Sequence, residues 1–217
     1  MTARHSPLKR PERRAVRARR ALADDARPLP REVVADRLAA SVPALLALTT
    51  AAPPVTVALY VSLPDEPGTW PLRRALADGG HRVLLPVVRD DLDLDWVLDD
   101  GATRSARTPP GRRLGRDALA GCALVVVPAL AVDRSGTRLG QGGGSYDRAL
   151  ARLPDGVPVV ALVHDDEVLP PGALPREPHD RPVGHALTPS GLVGLSDRGR
   201  AAPAPDGSAP PPGPPRR

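Results

Sequence analysis

From residue 55 onward, apolar residues come in short unbroken runs set off by polar, glycine and proline punctuation. The run Val55–Val61 lies between Pro54 and Ser62–Pro64 and reads as a buried strand. Trp70–Asp78 reads as a helix closed by Gly79-Gly80. His81–Val88 is a second strand, and Pro86 puts its end at a sheet edge or rim. Strand, helix and strand at this spacing make a βαβ unit. Asp90–Arg113 reads as irregular, acidic and then proline-rich, with Leu94 and Trp96 as apolar anchors. Ala123–Val127 is a further strand, Ser145–Leu153 a helix and Val157–Val163 another strand, with Leu187 and Leu192-Val193 supplying a last short one.

Before residue 55 the spacing is helical. Val33, Val34, Leu38, Val42, Leu45 and Leu46 predict a helix over Arg31–Leu48. Pro11–Leu22 contains good helix formers behind a proline suited to a first helical position. Its apolar stripe of Ala15, Val16, Ala18 and Leu22 is thin, so its arginines read as a solvated face. Beyond Ser196 the chain is alanine, proline, glycine and arginine with almost nothing to bury, which predicts disorder. The pattern therefore gives one α/β domain over 1–196 and a proline-rich tail over 197–217.

The length of 217 residues suits a single domain, which at this size buries roughly 70% of its unfolded surface without a disulfide or metal staple. Cys122 is the one cysteine, which excludes a disulfide framework and is compatible with the cytosol. No apolar run approaches the ~20 residues of a membrane span, and the basic N-terminus lacks the apolar region of a signal peptide. The formal charge is +5. Of the 30 cationic residues, only Lys9 is a lysine; there is no Phe, Ile or Asn, one Gln, two Tyr and two Trp, against 29 Pro. Such a bias fits GC-rich coding, so the arginine excess is weak support for a nucleic-acid partner. A rare residue type at a special position carries correspondingly more weight.

Three segments carry candidate chemistry. In Arg138-Leu139-Gly140-Gln141-Gly142-Gly143-Gly144-Ser145-Tyr146-Asp147-Arg148, four glycines between a strand and a helix let the backbone approach an anion. Ser145 is a candidate N-cap, and Asp147 suits either the helix dipole or a Mg²⁺ beside phosphate. No Lys-Ser/Thr pair follows the glycines, so this is not the common P-loop, and a plain flexible loop is the competing reading. Glu177-Pro178-His179-Asp180-Arg181-Pro182 could bind metal or form a solvated turn. Tyr60–Thr69 lies just past the carboxyl end of a strand, where ligands bind in open α/β sheets; capping of the next helix by Asp65 or Thr69 is the alternative. Cys122 reads as a small core residue rather than a nucleophile.

Taken together, these segments resemble the 5-formyltetrahydrofolate cyclo-ligase (methenyltetrahydrofolate synthetase) family over about Leu8 to Leu195. The resemblance rests on Pro128–Asp133 followed by Arg138–Arg148, on Tyr60–Thr69, Leu85–Val88 and Glu177–Pro182 in the family's order, and on Lys9, Glu12-Arg13 and Arg19 for its N-terminal pattern. It implies a three-layer α/β/α domain with a mostly parallel sheet, related to sugar-phosphate isomerases and coenzyme A transferases. The implied enzyme is an ATP- and Mg²⁺-dependent ligase forming a C–N bond. It closes 5-formyltetrahydrofolate to 5,10-methenyltetrahydrofolate by phosphorylating the formyl oxygen, and releases ADP and phosphate.

By position, the resemblance assigns ATP contacts to Lys9, Arg13, Arg138 and the cradle Gly140, Gln141, Gly142, Gly143, Gly144, Ser145 and Tyr146. It gives catalytic parts to Lys9, Arg138 and Tyr146, Mg²⁺ to Asp147 and Asp180, and folate contacts to Val61, Glu66 and Trp96. Glu12, Gly184 and Thr108-Pro109 depart from the family's Leu, Asp and Gly-x-x-Glu-Pro pattern. A cytoplasmic monomer without membrane or nucleic-acid partners is expected. The alternative is a degenerate member that binds folate, nucleotide or RNA without turnover; the lack of aromatic clusters argues against RNA.

Overall fold

A computed structural model describes residues 9–21, 29–103, 108–177 and 180–195. In chain order the helices are α1 (Arg10–Ala21), α2 (Arg31–Ala40), α3 (Val42–Leu46), α4 (Trp70–Asp78) and α5 (Ser145–Leu150). The central strands are β1 (Thr56–Ala58), β2 (Arg82–Val88), β3 (Leu94–Leu98), β4 (Leu124–Pro128), β7 (Val159–Leu162), β9 (His185–Thr188) and β10 (Gly191–Gly194). They form one sheet in the order β10-β9-β7-β4-β1-β2-β3. The inner ladders are parallel, and both edge strands, β3 and β10, are antiparallel to their neighbours.

Alternation within each strand explains why the runs are apolar throughout. Val57, Val83, Leu85, Val126 and Leu162 face Leu38, Leu45, Leu72 and Leu76 of α2, α3 and α4. Ala58, Leu84, Val125, Val127 and Ala161 face the other way, onto Leu119, Ala149 and Leu150. A parallel sheet covered on both faces has no solvent side, so no polar positions alternate along it. The molecule is thus the expected α/β/α sandwich with a mostly parallel sheet.

Several elements differ from the sequence reading. The segment expected to be irregular contains β3, paired with β2 so that Trp96 lies opposite Pro86. Its Asp-Leu-Asp-Leu-Asp-Trp alternation hides a strand, because Asp93 and Asp95 are buried with partners instead of facing water. Asp93 takes both guanidinium nitrogens of Arg152 at 3.1 and 2.9 Å, and Asp95 accepts the N–H groups of Trp96 and Gly115 at 2.7 and 2.8 Å. The helix expected over Arg31–Leu48 is two helices, with Pro43 in the first turn of the second, where its missing N–H costs nothing. The helix expected to reach Leu153 stops at Leu150. Pro86 does lie past the β1–β2 ladder, which ends at Ala58↔Leu84.

A second, three-stranded sheet was not legible in the sequence: β5 (Ala131–Asp133), with β6 (Arg138–Leu139) antiparallel on one side and β8 (Val168–Leu169) parallel on the other. The connection after β4 supplies β5, and the turn after β7 supplies β8, so this small sheet sits at the carboxyl ends of the main strands. α1 rests on it through Val16, which packs with Leu130, Ala131, Leu139 and Leu174. The helix read as solvated therefore has a buried face, formed by Arg13, Val16 and Arg20. Leu22, Pro178, His179 and the proline-rich tail from Ser196 lie outside the described residues. Among the described residues no helix is long and apolar enough to cross a membrane.

Candidate active site

One cavity of about 500 Å³ opens at the carboxyl ends of β1, β2 and β4. Lys9, Arg13, Val61, Glu66, Arg138, Gly140, Gln141, Gly142, Gly143, Gly144, Ser145, Tyr146, Asp147 and Asp180 all line it. The fold thus brings together every residue to which the resemblance assigns an ATP, Mg²⁺, catalytic or folate contact, except Trp96. That tryptophan is fully buried in the core between sheet and helix, and the neighbouring Leu94 reaches the cavity instead. Tyr60, Leu63, Pro86, Val88, Pro109, Pro128 and Glu177 complete the wall. Pro86 and Val88 belong to a strand edge that carries no polar signal in the sequence.

The cationic side comes from two elements. α1 and the residue before it present Lys9 and Arg13, four positions apart and hence on one helical face. β6 presents Arg138, which is 8% exposed and held where the small sheet abuts the cavity. Each cation meets an acid or a carbonyl: Lys9 Nζ donates to Asp180 Oδ2, Arg138 donates to Asp147 Oδ1, and Arg13 Nε donates to the Gly140 carbonyl at 3.0 Å. Asp180 also accepts the Glu177 N–H at 2.8 Å, which fixes its carboxylate at the cavity wall. Burial lowers the Arg13 pKa and the neighbouring Arg17 lowers it further, against the pull of Asp147, Glu177 and Asp180. A cation in that position gains from an arriving anion.

The glycines have identifiable tasks. A Cβ on Gly140 would stand 2.8 Å from the Arg138 guanidinium, so glycine there leaves that side chain its path into the cavity. Gly144 has φ +70°, the left-handed region, and itself occupies the N-cap of α5. Ser145, expected as the cap, is instead the first helical residue. Gln141 closes the loop onto α1, accepting from Arg17 through its backbone carbonyl at 3.0 Å and its side-chain oxygen at 2.8 Å.

The far end of the cavity is built from Tyr60–Thr69. Thr69, the alternative helix cap, does occupy the N-cap position of α4 but makes no capping bond; its hydroxyl donates to the Tyr60 carbonyl at 2.7 Å and accepts the Ser62 N–H at 3.2 Å. This cross-tie folds the loop back so that Glu66 points inward at 6% exposure. Glu66 Oε2 accepts the Leu63 N–H at 2.9 Å. Burial raises the Glu66 pKa, while the Leu63 N–H and the charge of Arg20 oppose the rise. The hydroxyls of Tyr60 and Tyr146 are buried at the cavity with no hydrogen-bond partner among the described residues, and burial raises both of their pKa values. Two unmatched phenols beside a buried acid form a polar end that a heterocyclic ligand can satisfy.

The 5-formyltetrahydrofolate cyclo-ligase family matches residues 5–189, a span that contains every residue lining the cavity. The chain belongs to that family. It is 43% identical over 151 residues to the 5-formyltetrahydrofolate cyclo-ligase of Mycolicibacterium smegmatis, covering 64% of this chain and 77% of that protein. It is 33% identical over 151 residues to the enzyme of that name from Escherichia coli K12, covering 64% of this chain and 82% of the relative. The fold is that of the Aquifex aeolicus 5,10-methenyltetrahydrofolate synthetase, with TM-score 0.64 and 24% identity over 92% of this chain and 97% of that one. The Mycoplasma pneumoniae synthetase gives TM-score 0.61 and 18% identity over 87% and 98% of the two chains.

Two departures from the family pattern lie away from the cavity. Glu12, beside Arg13 on α1, does not line it. Gly184 lies at the start of β9, its N–H donating to Val159 at 3.1 Å. The third departure does reach the site, where Pro109 contributes an apolar surface to the wall.

Proposed function

We propose that this member of the cyclo-ligase family closes 5-formyltetrahydrofolate to 5,10-methenyltetrahydrofolate with ATP and Mg²⁺, releasing ADP and phosphate. The observation that carries the proposal is the arrangement of one cavity: cation–carboxylate pairs Lys9–Asp180 and Arg138–Asp147 at one end, buried Glu66 with the Tyr60 phenol at the other, and the Tyr146 phenol between them under the Arg138 guanidinium. The first end suits a nucleotide triphosphate and the second a pterin.

The donor set suits Mg²⁺. Among the described residues no three His, Cys, Asp or Glu side chains converge into a closed cage. Asp147 and Asp180 nevertheless share the cavity with the cations. Mg²⁺ typically takes one or two carboxylates and completes its shell with water and substrate phosphate. Phosphate oxygens would take over Lys9, Arg13 and Arg138 from their internal partners, and Asp147 and Asp180 would then hold the metal. Bound there, Mg²⁺ supplies neutralisation of phosphate charge.

A formamide oxygen is a poor leaving group; it attacks the γ-phosphorus of ATP, ADP leaves, and the phosphorylated oxygen becomes a good one. N10 then bonds to the formyl carbon and gives up its proton as phosphate departs. Lys9 and Arg138 hold the transferring group in line, and Glu66 accepts pterin N–H groups so that the formyl oxygen faces it. The Tyr146 hydroxyl lies between the two ends and donates to the reacting region. Val61 packs against the folate, and apolar Leu94, Pro86 and Val88 exclude water around it. The setting belongs to the same proposal: a cytosolic monomer. Cys122 takes no part, since it is buried and its pKa is pushed up to about 12, which leaves the thiol inert.

The test is the absorbance of 5,10-methenyltetrahydrofolate formed from 5-formyltetrahydrofolate, with ATP and Mg²⁺ omitted in turn. Product in the complete mixture alone supports the proposal. A folded sample that forms no product and binds neither substrate refutes it.

A further inference from the structure

α1 carries Lys9 and Arg13 to the cavity, and apart from the solvent-exposed contacts of Arg17 with Gln141 and Arg19 with Asp166, little fixes where the helix sits along its own axis. Its buried residues are Arg13, Val16 and Arg20, so Val16 is its single buried apolar side chain. One valine against Leu130, Ala131, Leu139 and Leu174 gives adhesion but no axial register. Lys9 and Arg13 face the cavity, where a phosphate ligand would compete for them.

Arg20 is different. Its Nε donates to Glu167 Oε1 at 2.7 Å, and its Nη2 donates to Glu167 Oε2 and to the Ala129 carbonyl, each at 2.8 Å. Both side chains are 2% exposed, and neither they nor Ala129 belong to the cavity wall. Glu167 is itself held in place: it closes the turn after β7, where its Oε2 also accepts the His164 N–H at 2.9 Å. A guanidinium locked onto both oxygens of a fixed carboxylate has one geometry, whereas an apolar contact tolerates sliding. A slip of one helical turn would move Lys9 and Arg13 by about 5.4 Å, well beyond the reach of a phosphate hydrogen bond.

We infer that the buried Arg20–Glu167 pair is the register lock of α1, and that both residues are positioning residues for nucleotide binding by Lys9 and Arg13. The inference rests on the reading that those two cations bind ATP phosphates. The pair lies about 10 Å along the helix from Arg13 and ~16 Å from Lys9, and so acts at a distance from the bound nucleotide. Its specific contribution is to register, since replacing a buried ion pair by packed apolar residues often leaves stability unchanged or improved.

The experiment compares the wild type with Arg20→Lys, Glu167→Gln and the double variant Arg20→Met with Glu167→Leu. The readouts are ATP affinity by equilibrium binding and thermal midpoint. The single variants are expected to weaken ATP binding by roughly tenfold or more. The double variant is the deciding one: its melting temperature should return to within a few degrees of wild type, while its ATP affinity stays low. Recovery of ATP affinity together with stability would show that the pair merely fills space, and would overturn the inference. So would single variants whose folded fraction binds ATP as the wild type does. Absence of ATP binding by the wild type itself would instead refute the functional reading on which the inference stands.

Discussion

Glu66 shows the cost of placing chemistry inside a fold. Burial raises its pKa above the unfolded value of about 4.3, so the folded chain holds the proton more tightly than the unfolded one. Its contribution to stability is therefore fully present below the unfolded pKa and is lost as pH rises through the folded value. At neutral pH the ionised carboxylate works against the fold. Glu66→Gln keeps an acceptor for the Leu63 N–H and removes the charge. It should raise the urea midpoint at pH 7, the gain shrinking towards pH ~4, while folate affinity falls at least roughly tenfold. Equal midpoints at pH 7 would contradict the assignment. Asp147 pairs with Arg138 at the other side of the same cavity. Asp147→Ala should reduce turnover by about 10²-fold or more with folate affinity unchanged, read by steady-state kinetics beside folate binding. Turnover near the wild-type rate would remove its role as a metal ligand.

The elements that matter most are the shortest. β6 has two residues, yet it aims Arg138, and the glycine after it gives that side chain room. Gly140→Ala would place a methyl group 2.8 Å from the Arg138 guanidinium. The side chain must swing away, and ATP affinity should fall by about tenfold with little change in melting temperature, checked by nucleotide binding and a thermal melt. This scale also marks where the sequence was legible. Val55–Val61, Trp70–Asp78 and Ala123–Val127 were readable because apolar runs with glycine and proline punctuation leave few alternatives. β3 was not, since the buried Asp93 at its start depends on Arg152 and Arg116, which lie well beyond it in the chain. α1 looked solvated for the same reason. Its buried face uses Arg20, whose partner Glu167 lies 147 residues away.

At the scale of the molecule, the two apolar clusters on either face of the sheet hold a rigid platform whose strand ends carry the loops of the site. The cavity wall was largely foreseeable, because the glycine loop, the Tyr60–Thr69 turn and Asp180 each sit where a strand hands over to a loop. What escaped was packing: Trp96 belongs to the core, and Tyr60 offers a free hydroxyl that only the folded chain reveals. The lopsided composition gains meaning here, since the sole lysine, the sole glutamine and both tyrosines all line this one cavity. Residues 197–217 contribute almost no apolar side chains to bury. Their deletion should leave kcat and both KM values within about twofold of the full chain; a larger fall would give the tail a functional part.

The central claim is that ATP is spent on the formyl oxygen. It is tested most directly by running the reaction with that oxygen isotopically labelled, and measuring product, ADP and the label in released phosphate together. The account predicts equal amounts of 5,10-methenyltetrahydrofolate and ADP, with the label carried into phosphate. Label found in water, or ADP formed without cyclised product, would contradict it.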